Sequence, residues 1–392
     1  MNELTTNYQR TLESRPDNYW DCYQQGNQLR DGGHYQEALG YYDKALEYQP
    51  QDYWAWYQIG NVLGDLGRYE EAIASFERAL AARPGDYWVY YQIGIMLDQS
   101  DRPEEAIVSY DRALDIRPDD YWAWYRRAGA LREAGWLDEA IASYDRALDI
   151  RPGDDWAWYR RGETLEQMRR YDEALSSYRR VLGIDPEDAT VWYRYGRVLD
   201  LLGDAEGAIA AYDRAIEIDA EDERIWYDRA VALSDLERWI EALASYDEAL
   251  DLNGEQEWSW YQRGQVLQQL GHHEEAIASY DRAIALQSQK TPDCDQYSYL
   301  NRWLRHARAV ALGDAGRHQE AQADFERAIA LDPEEGELWY DRSRYYLERG
   351  EREQAIDSLE RALYVRRAIA RERLADLAWA VLQGDPRFQA LM

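Results

Sequence analysis

The stretch that decides the fold is Tyr53-Trp54-Ala55-Trp56-Tyr57, which recurs as Tyr121-Trp122-Ala123-Trp124-Tyr125 and, with one change, as Asp155-Trp156-Ala157-Trp158-Tyr159. The starts of these stretches differ by multiples of 34 residues. Eight units of 34 residues tile residues 19–290 without a gap, and two more tile 302–369. A fixed period of this length is typical of stacked repeats, so repeating units rather than separate compact domains organise the chain.

Within each unit, numbered from position 1 to 34, a few positions hardly vary. Position 20 is always Ala, position 8 is always small, and position 24 is aromatic in nine units, as in Tyr42 and Phe76. Small side chains let two helices approach closely. Gly at position 15, as in Gly67, and Pro at position 32, as in Pro84, end helices. Each unit is therefore predicted to form two packed helices.

This combination of small, aromatic and helix-ending positions resembles the tetratricopeptide repeat, and the likeness covers nearly the whole chain. The resemblance implies an all-α fold, a right-handed α-solenoid of about ten helical hairpins, in which the first helix of each unit lines a concave groove. It also implies a scaffold that binds other proteins, as assembly factors and adaptors of this type do.

The remaining segments are interpreted as parts of the same array. Residues 1–18 are predicted to form an N-terminal half repeat, 19–290 repeats one to eight, 302–369 repeats nine and ten, and 370–392 a C-terminal cap with a helix through Trp379 to Leu382. Solenoid ends need caps because a terminal repeat otherwise exposes its stacking face. The insertion 291–301 either lengthens the first helix of repeat nine or forms a surface loop, and we favour the loop.

Composition excludes several classes of function. The 76 acidic residues outnumber the 45 basic ones and give a formal net charge of −31, which argues against nucleic-acid binding, because that draws on Lys and Arg. No run of 18 apolar residues predicts membrane insertion, so a cytoplasmic location is expected. Two cysteines, Cys22 and Cys294, form neither a disulfide framework nor a metal-ligand spacing.

The first helix of each unit is predicted to have two aromatic faces. Positions 4, 8 and 11 form the core face, with a Trp at position 4 in seven units placed over the small residue at position 8. Positions 2 and 5 form the second face, which is predicted to line the groove. Its predicted partner-binding residues are Trp54, Tyr57, Trp88, Tyr91, Trp122, Tyr125, Trp156, Tyr159 and Tyr193. These rings either anchor a ligand or stack between neighbouring repeats. Both interpretations stay open for the Trp rings. For the Tyr residues we expect the hydroxyl edges to be exposed.

Position 6 changes along the chain from Gln to Arg to Asp. Its three consecutive arginines, Arg126, Arg160 and Arg194, with Arg197 one turn further on, are predicted to form a basic strip that binds a carboxylate or phosphate. The alternative is a solvated edge on which these arginines pair with acids such as Glu163. The arginines at position 7 are predicted to pair with acids at position 25, namely Asp145, Asp247 and Asp281.

Nothing in the sequence indicates catalysis. Few residues lie outside the repeats, and none of the five histidines has a zinc-ligand spacing, so neither a catalytic residue nor a metal or other cofactor is predicted. The leading hypothesis is a scaffold that binds a protein or peptide segment, bearing an anionic group, in an aromatic groove. The alternatives are a carrier or sensor of a small apolar or aromatic ligand in the same groove, and a self-associating rod.

Overall fold

A computed structural model describes residues 18–289, 295–365, 379 and 382–391. Within these ranges the regular elements are α-helices, without a β-strand. The chain divides into two compact units, Met1–Pro186 and Glu187–Met392. Five of the predicted repeats fall in each unit, and each repeat contributes two helices. The predicted all-α array of helical hairpins is therefore confirmed.

The helices of the first unit come in pairs, one pair per repeat. They are α1 (Tyr19–Asp31), α2 (Tyr35–Tyr48), α3 (Tyr53–Asp65), α4 (Tyr69–Ala82), α5 (Tyr87–Gln99), α6 (Pro103–Ile116), α7 (Tyr121–Glu133), α8 (Leu137–Ile150), α9 (Asp155–Gln167) and α10 (Tyr171–Ile184). The predicted half repeat at residues 1–18 lies almost wholly outside the described residues.

The second unit continues the same alternation and ends in one short helix. Its helices are α11 (Ala189–Leu201), α12 (Ala205–Ile218), α13 (Glu223–Asp235), α14 (Trp239–Leu252), α15 (Glu257–Gln269), α16 (His273–Gln289), α17 (Asp295–Asp314), α18 (His318–Leu331), α19 (Gly336–Glu348), α20 (Arg352–Val365) and α21 (Pro386–Leu391).

The insertion between repeats eight and nine is not a surface loop where it is described. Helix α17 begins at Asp295 and extends the first helix of repeat nine by seven residues toward its N-terminus. Leu300, Leu304 and Ala311 are buried at helical spacing along it. The loop interpretation is wrong for residues 295–301 because they continue the helix, and Leu300 in this stretch is buried one turn before Leu304.

The C-terminal segment packs on the last repeat where it is described. Trp379, Leu382 and Phe388 are buried in one cluster with Ile356 and Leu359. The indole of Trp379 stacks on the ring of Phe388 with centroids 6.1 Å apart. This packing covers apolar surface of the last repeat, as expected of a solenoid cap. Most of the predicted cap helix lies outside the described residues.

In the six repeats with Gly at position 8, the aromatic ring at position 24 lies directly against that glycine and forms the centre of the core. A Cβ built on Gly60 would lie 2.6 Å from Phe76 Cε1, and one on Gly94 would lie 2.5 Å from Tyr110 Cε1. The predicted placement of the position-4 Trp over position 8 is therefore wrong, because the ring at position 24 occupies that space.

The position-4 indoles have a different role, since they tie adjacent repeats together. Six of the seven donate their N–H to the carbonyl at position 32 of the preceding repeat, as Trp56 does to Pro50 at 2.9 Å and Trp124 to Pro118 at 2.8 Å. A half-buried indole needs such a partner for its N–H. The same bond recurs at Trp158, Trp226, Trp260 and Trp339.

The predicted ion pairs between positions 7 and 25 are confirmed. Arg161 Nε lies 2.6 Å from Asp145 Oδ1, Arg263 Nε lies 2.6 Å from Asp247 Oδ1, and Arg308 binds Asp281. The Asp belongs to the preceding repeat in each case. Arg161 also donates to the hydroxyl of Ser177 in its own repeat at 2.8 Å. Such arginines therefore link repeats four, five, seven, eight and nine to the repeat before each of them.

The turn between the two helices of a repeat requires a left-handed backbone at position 15. Seven repeats place Gly there, with φ between 73° and 82° among Gly33, Gly67, Gly135, Gly203, Gly271, Gly316 and Gly350. Asp101, Arg169 and Glu237 adopt the same conformation with φ of 57° to 59°. A Cβ in this conformation costs roughly 1–2 kcal/mol, so three turns are strained.

Substituting Glu237→Gly should therefore stabilise the protein by about 0.5–1 kcal/mol, because relief of strain exceeds the entropy that Gly adds to the unfolded chain. The reverse change, Gly203→Ala, should destabilise it. Thermal unfolding followed by circular dichroism measures both, and a lower midpoint for Glu237→Gly would contradict the strain.

Candidate functional site

Five tryptophans at position 2 form an exposed series in the first unit. The members of this tryptophan ladder are Trp20, Trp54, Trp88, Trp122 and Trp156. Between 49% and 62% of each side chain is exposed. So large an apolar surface repeated in consecutive repeats is unusual for a free protein surface and marks an interaction site. Of the two interpretations for these rings, exposure rather than stacking between repeats is observed.

Each ladder ring contacts one or two tyrosines of its own repeat. The indole of Trp88 meets Tyr87 edge-on at 5.1 Å and Tyr91 at 6.3 Å between centroids. Trp122 repeats this with Tyr121 at 5.0 Å and Tyr125 at 6.2 Å. Edge-to-face pairs at these distances are favourable, so the exposed rings are positioned before any partner arrives.

The tyrosines at position 1 in turn connect the ladder to the next repeat. The Tyr19 hydroxyl donates to Asp52 Oδ2 at 2.7 Å, and the same carboxylate accepts the backbone N–H of Ala55 at the start of α3. Burial and the Asp120 carboxylate raise the pKa of Tyr87, which makes the equivalent bond two repeats further on. Each such Asp serves as helix N-cap and as phenol acceptor at once.

The indole N–H groups of the ladder have no acceptor among the described residues, whereas the position-4 indoles donate to backbone carbonyls. The ladder therefore presents a flat apolar surface and a donor on the same side chain. An indole N–H is a donor only, so a partner that supplies carbonyl oxygens suits it.

Arginines at position 31 stack beside the ladder. The guanidinium of Arg117 lies 4.5 Å from the Tyr87 centroid and 5.5 Å from that of Trp88. Arg151 lies 4.4 Å from Tyr121 and 5.5 Å from Trp122. These distances fit cation–π attraction. Both arginines are exposed, and neither has a carboxylate within 4.0 Å in the described part of the chain.

Sequence reasoning missed these two arginines. The available signal was the dipeptide Arg-Pro at positions 31 and 32, which occurs in repeats two to four, at 83–84, 117–118 and 151–152, and at 15–16 in the predicted half repeat. Arg83 lies 5.2 Å from the Tyr53 centroid, but its guanidinium is also 3.7 Å from Asp86.

The predicted strip at position 6 is engaged within the protein. Arg160 donates to Glu163 Oε2 at 2.9 Å and hydrogen-bonds to the Tyr125 hydroxyl, so the pairing with Glu163 is observed. Arg126 hydrogen-bonds to the Tyr91 hydroxyl. Burial raises the pKa of Asp98 on α5 to about 6, although the positive charge of Arg126 lowers this pKa in part. When ionised, Asp98 offsets part of the Arg126 charge.

The other predicted residues lie in the second unit, where each has partners. The Tyr193 hydroxyl donates to Asp228 Oδ2 at 2.8 Å, and burial raises its pKa. Arg197 Nε lies 3.8 Å from the same carboxylate. Arg194 is half-buried and also makes contacts within the protein. Of the predicted tyrosines, Tyr91, Tyr125 and Tyr193 thus have hydrogen-bonded hydroxyls, while Tyr57 and Tyr159 are half-buried.

Two further properties concern the part of the chain that is described. It brings together no group of three or more His, Cys, Asp or Glu side chains able to hold a metal ion. Its helices are also too short or too polar for any of them to cross a bilayer.

Collisional quenching tests the exposure of the ladder directly. Replacing Trp88 and Trp122 with Phe should remove more iodide-quenchable fluorescence than replacing the half-buried, hydrogen-bonded Trp124 and Trp158. Equal losses in the two double variants would contradict the exposed placement of the ladder.

Comparison with known proteins places the chain in a family. One tetratricopeptide repeat model matches residues 23–87, 91–155 and 159–223, a second matches 255–334, and a third matches 314–378. No curated protein matches the chain significantly.

The chain is also similar to several solved structures. The C-terminal part of a repeat-containing protein from Cytophaga hutchinsonii is 18% identical, with a TM-score of 0.55 over 60% of this chain and 97% of that one. A MamA fragment from Desulfovibrio magneticus is 24% identical, covering 43% and 96% with a TM-score of 0.41. YrrB, described as a protein with an unusual peptide-binding site, is 24% identical, covering 50% and 97% with a TM-score of 0.43. The matched models extend over most of the ten repeats, and the chain belongs to the tetratricopeptide repeat family.

Proposed function

We propose that the tryptophan ladder binds an extended segment of another protein, so that the chain acts as an interaction scaffold or assembly factor. The observation that carries this proposal is the series of five half-exposed indoles in consecutive repeats of one compact unit. Membership of the tetratricopeptide repeat family supports the scaffold role, and proteins of this family are generally not enzymes.

The energetics favour these rings as anchors. Covering roughly 100 Å² of apolar surface on one indole contributes about 2.5 kcal/mol at about 25 cal/mol per Å². Because the tyrosines at positions 1 and 5 already hold the rings, little side-chain entropy is lost when a partner binds. Trp, Tyr and Arg are also the residues that most often dominate binding energy at interfaces.

The anionic group of the partner is proposed to bind at Arg117 and Arg151 rather than at position 6. Their guanidinium groups have no carboxylate partner among the described residues, whereas Arg160 is paired with Glu163. A partner carboxylate beside Trp88 or Trp122 would gain a charge-assisted hydrogen bond and leave the cation–π contact in place.

An extended protein segment suits the ladder better than a small ligand does. The rings stand at an open surface, one per repeat, while small-ligand sites enclose most of their ligand in a cavity. A row of indole donors also matches the carbonyl oxygens of an extended backbone. Self-association and a cytoplasmic location stay predictions.

Peptide display provides the test. A random 16-residue phage library selected on the full chain should yield peptides that lose at least tenfold in affinity for the double variant Trp88→Ala, Trp122→Ala. Loss of two anchors of about 2 kcal/mol each would weaken binding by up to roughly a thousandfold, so a tenfold loss is a lower bound. Fluorescence anisotropy of the synthetic peptides gives the affinities.

The matched control is Trp136→Ala. Trp136 is 47% exposed in the same unit but lies outside the ladder, before α8. Binding should be unchanged in this variant. Peptides that bind the double variant as tightly as the original chain, or a library that yields none, would contradict the proposal.

A further inference from the structure

The tyrosine at position 1 sets the interval between the rings of the tryptophan ladder. In four consecutive repeats its hydroxyl hydrogen-bonds to the Asp that caps the first helix of the next repeat, in the pairs Tyr19–Asp52, Tyr53–Asp86, Tyr87–Asp120 and Tyr121–Asp154. Each of these tyrosines directly precedes a ladder Trp in the sequence. The same contact therefore fixes every step from Trp20 to Trp156, and the rings are evenly spaced.

The first helices of neighbouring repeats also lie side by side. Near the middle of α7, Arg126 hydrogen-bonds to the Tyr91 hydroxyl on α5. Near the end of α7, Arg132 Nη1 lies 3.5 Å from Glu163 Oε2 on α9. Helices in direct contact have axes roughly 8–10 Å apart, so ladder rings at equivalent positions recur at about that interval.

Among regular peptide conformations, polyproline II matches this interval. It has three residues per turn and rises about 3.1 Å per residue, so every third residue lies on one face, about 9.3 Å from the previous one. Residues on one face of a β-strand are about 6.6 Å apart, which is too close. On an α-helix the residues that return to one face after two turns are about 10.5 Å apart, slightly too far.

Hydrogen bonding also favours polyproline II over the α-helix. The N–H groups of exposed ladder indoles such as Trp88 and Trp122 have no acceptor in the described ranges of the chain. The carbonyl groups of an α-helix already accept its own N–H groups, whereas the polyproline II backbone makes no internal hydrogen bonds. Proline contributes a carbonyl and no N–H, so a proline-rich backbone offers acceptors to a surface that offers donors.

Charge complementarity specifies the partner further. Arg117 and Arg151 stand at position 31 of consecutive repeats, beside Trp88 and Trp122, and are without a carboxylate within 4.0 Å in the described ranges. Because they are one repeat apart, acids three residues apart on the adjoining face of a polyproline II segment would meet both. Each acid would accept a charge-assisted hydrogen bond.

We propose that the ladder binds a proline-rich segment in the polyproline II conformation, with a proline at every third residue facing one indole and acids reaching Arg117 and Arg151. This inference rests on the proposed role of the ladder as a partner-binding surface. A segment of about 13 residues covers five rings at this spacing. The proline ring packs on the flat indole, and its fixed backbone lowers the entropy lost on binding.

Fluorescence anisotropy with two labelled 15-residue peptides tests the three-residue spacing. The periodic peptide repeats Pro-Gln-Ala five times, with Glu in place of Gln in the third and fourth triplets. Its isomer has the same composition, but its prolines occupy alternate positions of the first nine residues, so that at most two share a face. We expect the periodic peptide to bind the full chain at least fivefold more tightly than the isomer.

Variants of the protein test the donors of the ladder. Trp88→Phe with Trp122→Phe keeps two apolar rings and removes two N–H groups, and it should weaken the periodic peptide at least threefold. Trp136→Phe, outside the ladder, should leave binding unchanged.

A second pair of variants tests the charges. Arg117→Gln with Arg151→Gln should weaken the periodic peptide at least threefold. The matched control is Arg112→Gln with Arg146→Gln, the same charge change in the same two repeats, at exposed arginines that lie near Asp115 and Asp149 instead of the ladder. Binding should be unchanged in the control.

Equal affinities of the two peptides, or equal effects of a variant pair and its control, would overturn the polyproline II assignment. The assignment also fails alone if library peptides without this spacing bind the ladder and the periodic peptide does not. If neither kind of peptide binds, the proposed function fails with it.

Discussion

The contact of the position-24 ring with the small residue at position 8 is the constraint on which the rest of the structure depends. It sets the distance between the two helices of a repeat, and rings such as Tyr110 and Phe76 are fully buried by it. Once this contact takes up the core face, the position-4 indole has no place there. It instead donates its N–H to the carbonyl at position 32 of the preceding repeat, as Trp124 does to Pro118. The position-5 ring packs on the position-24 ring of its own repeat, as Tyr57 does on Phe76 with centroids 5.7 Å apart, and the ladder ring at position 2 lies against that tyrosine.

Features that repeat in register could be predicted from the sequence. The small and aromatic positions define the hairpins, and the pairing of Arg161 with Asp145 follows from positions 7 and 25 recurring together. The aromatic rings at position 2 could be located from the sequence. Their exposure could not be predicted, because it depends on which neighbouring side chains cover them. Tyrosines of the same repeat support the rings, and about half of each ring stays exposed.

The sequence was less informative where an interaction depends on the ends of helices. Arg117 lies just after the second helix of its repeat, and its stacking on Trp88 depends on how the chain turns there. The arginines at position 6 could be seen as a row, but their partners, such as the Tyr125 hydroxyl for Arg160, come from a neighbouring repeat. The extra residues before repeat nine also look like a loop until the buried spacing of Leu300 and Leu304 is recognised as helical.

The central claim of this account is that the tryptophan ladder is the surface a partner covers. Hydroxyl-radical footprinting with mass spectrometry, on the full chain alone and with a bound peptide, tests it residue by residue. The account predicts protection of Trp54, Trp88 and Trp122 and unchanged oxidation of Trp136. Protection of Trp136 with no change along the ladder would contradict it.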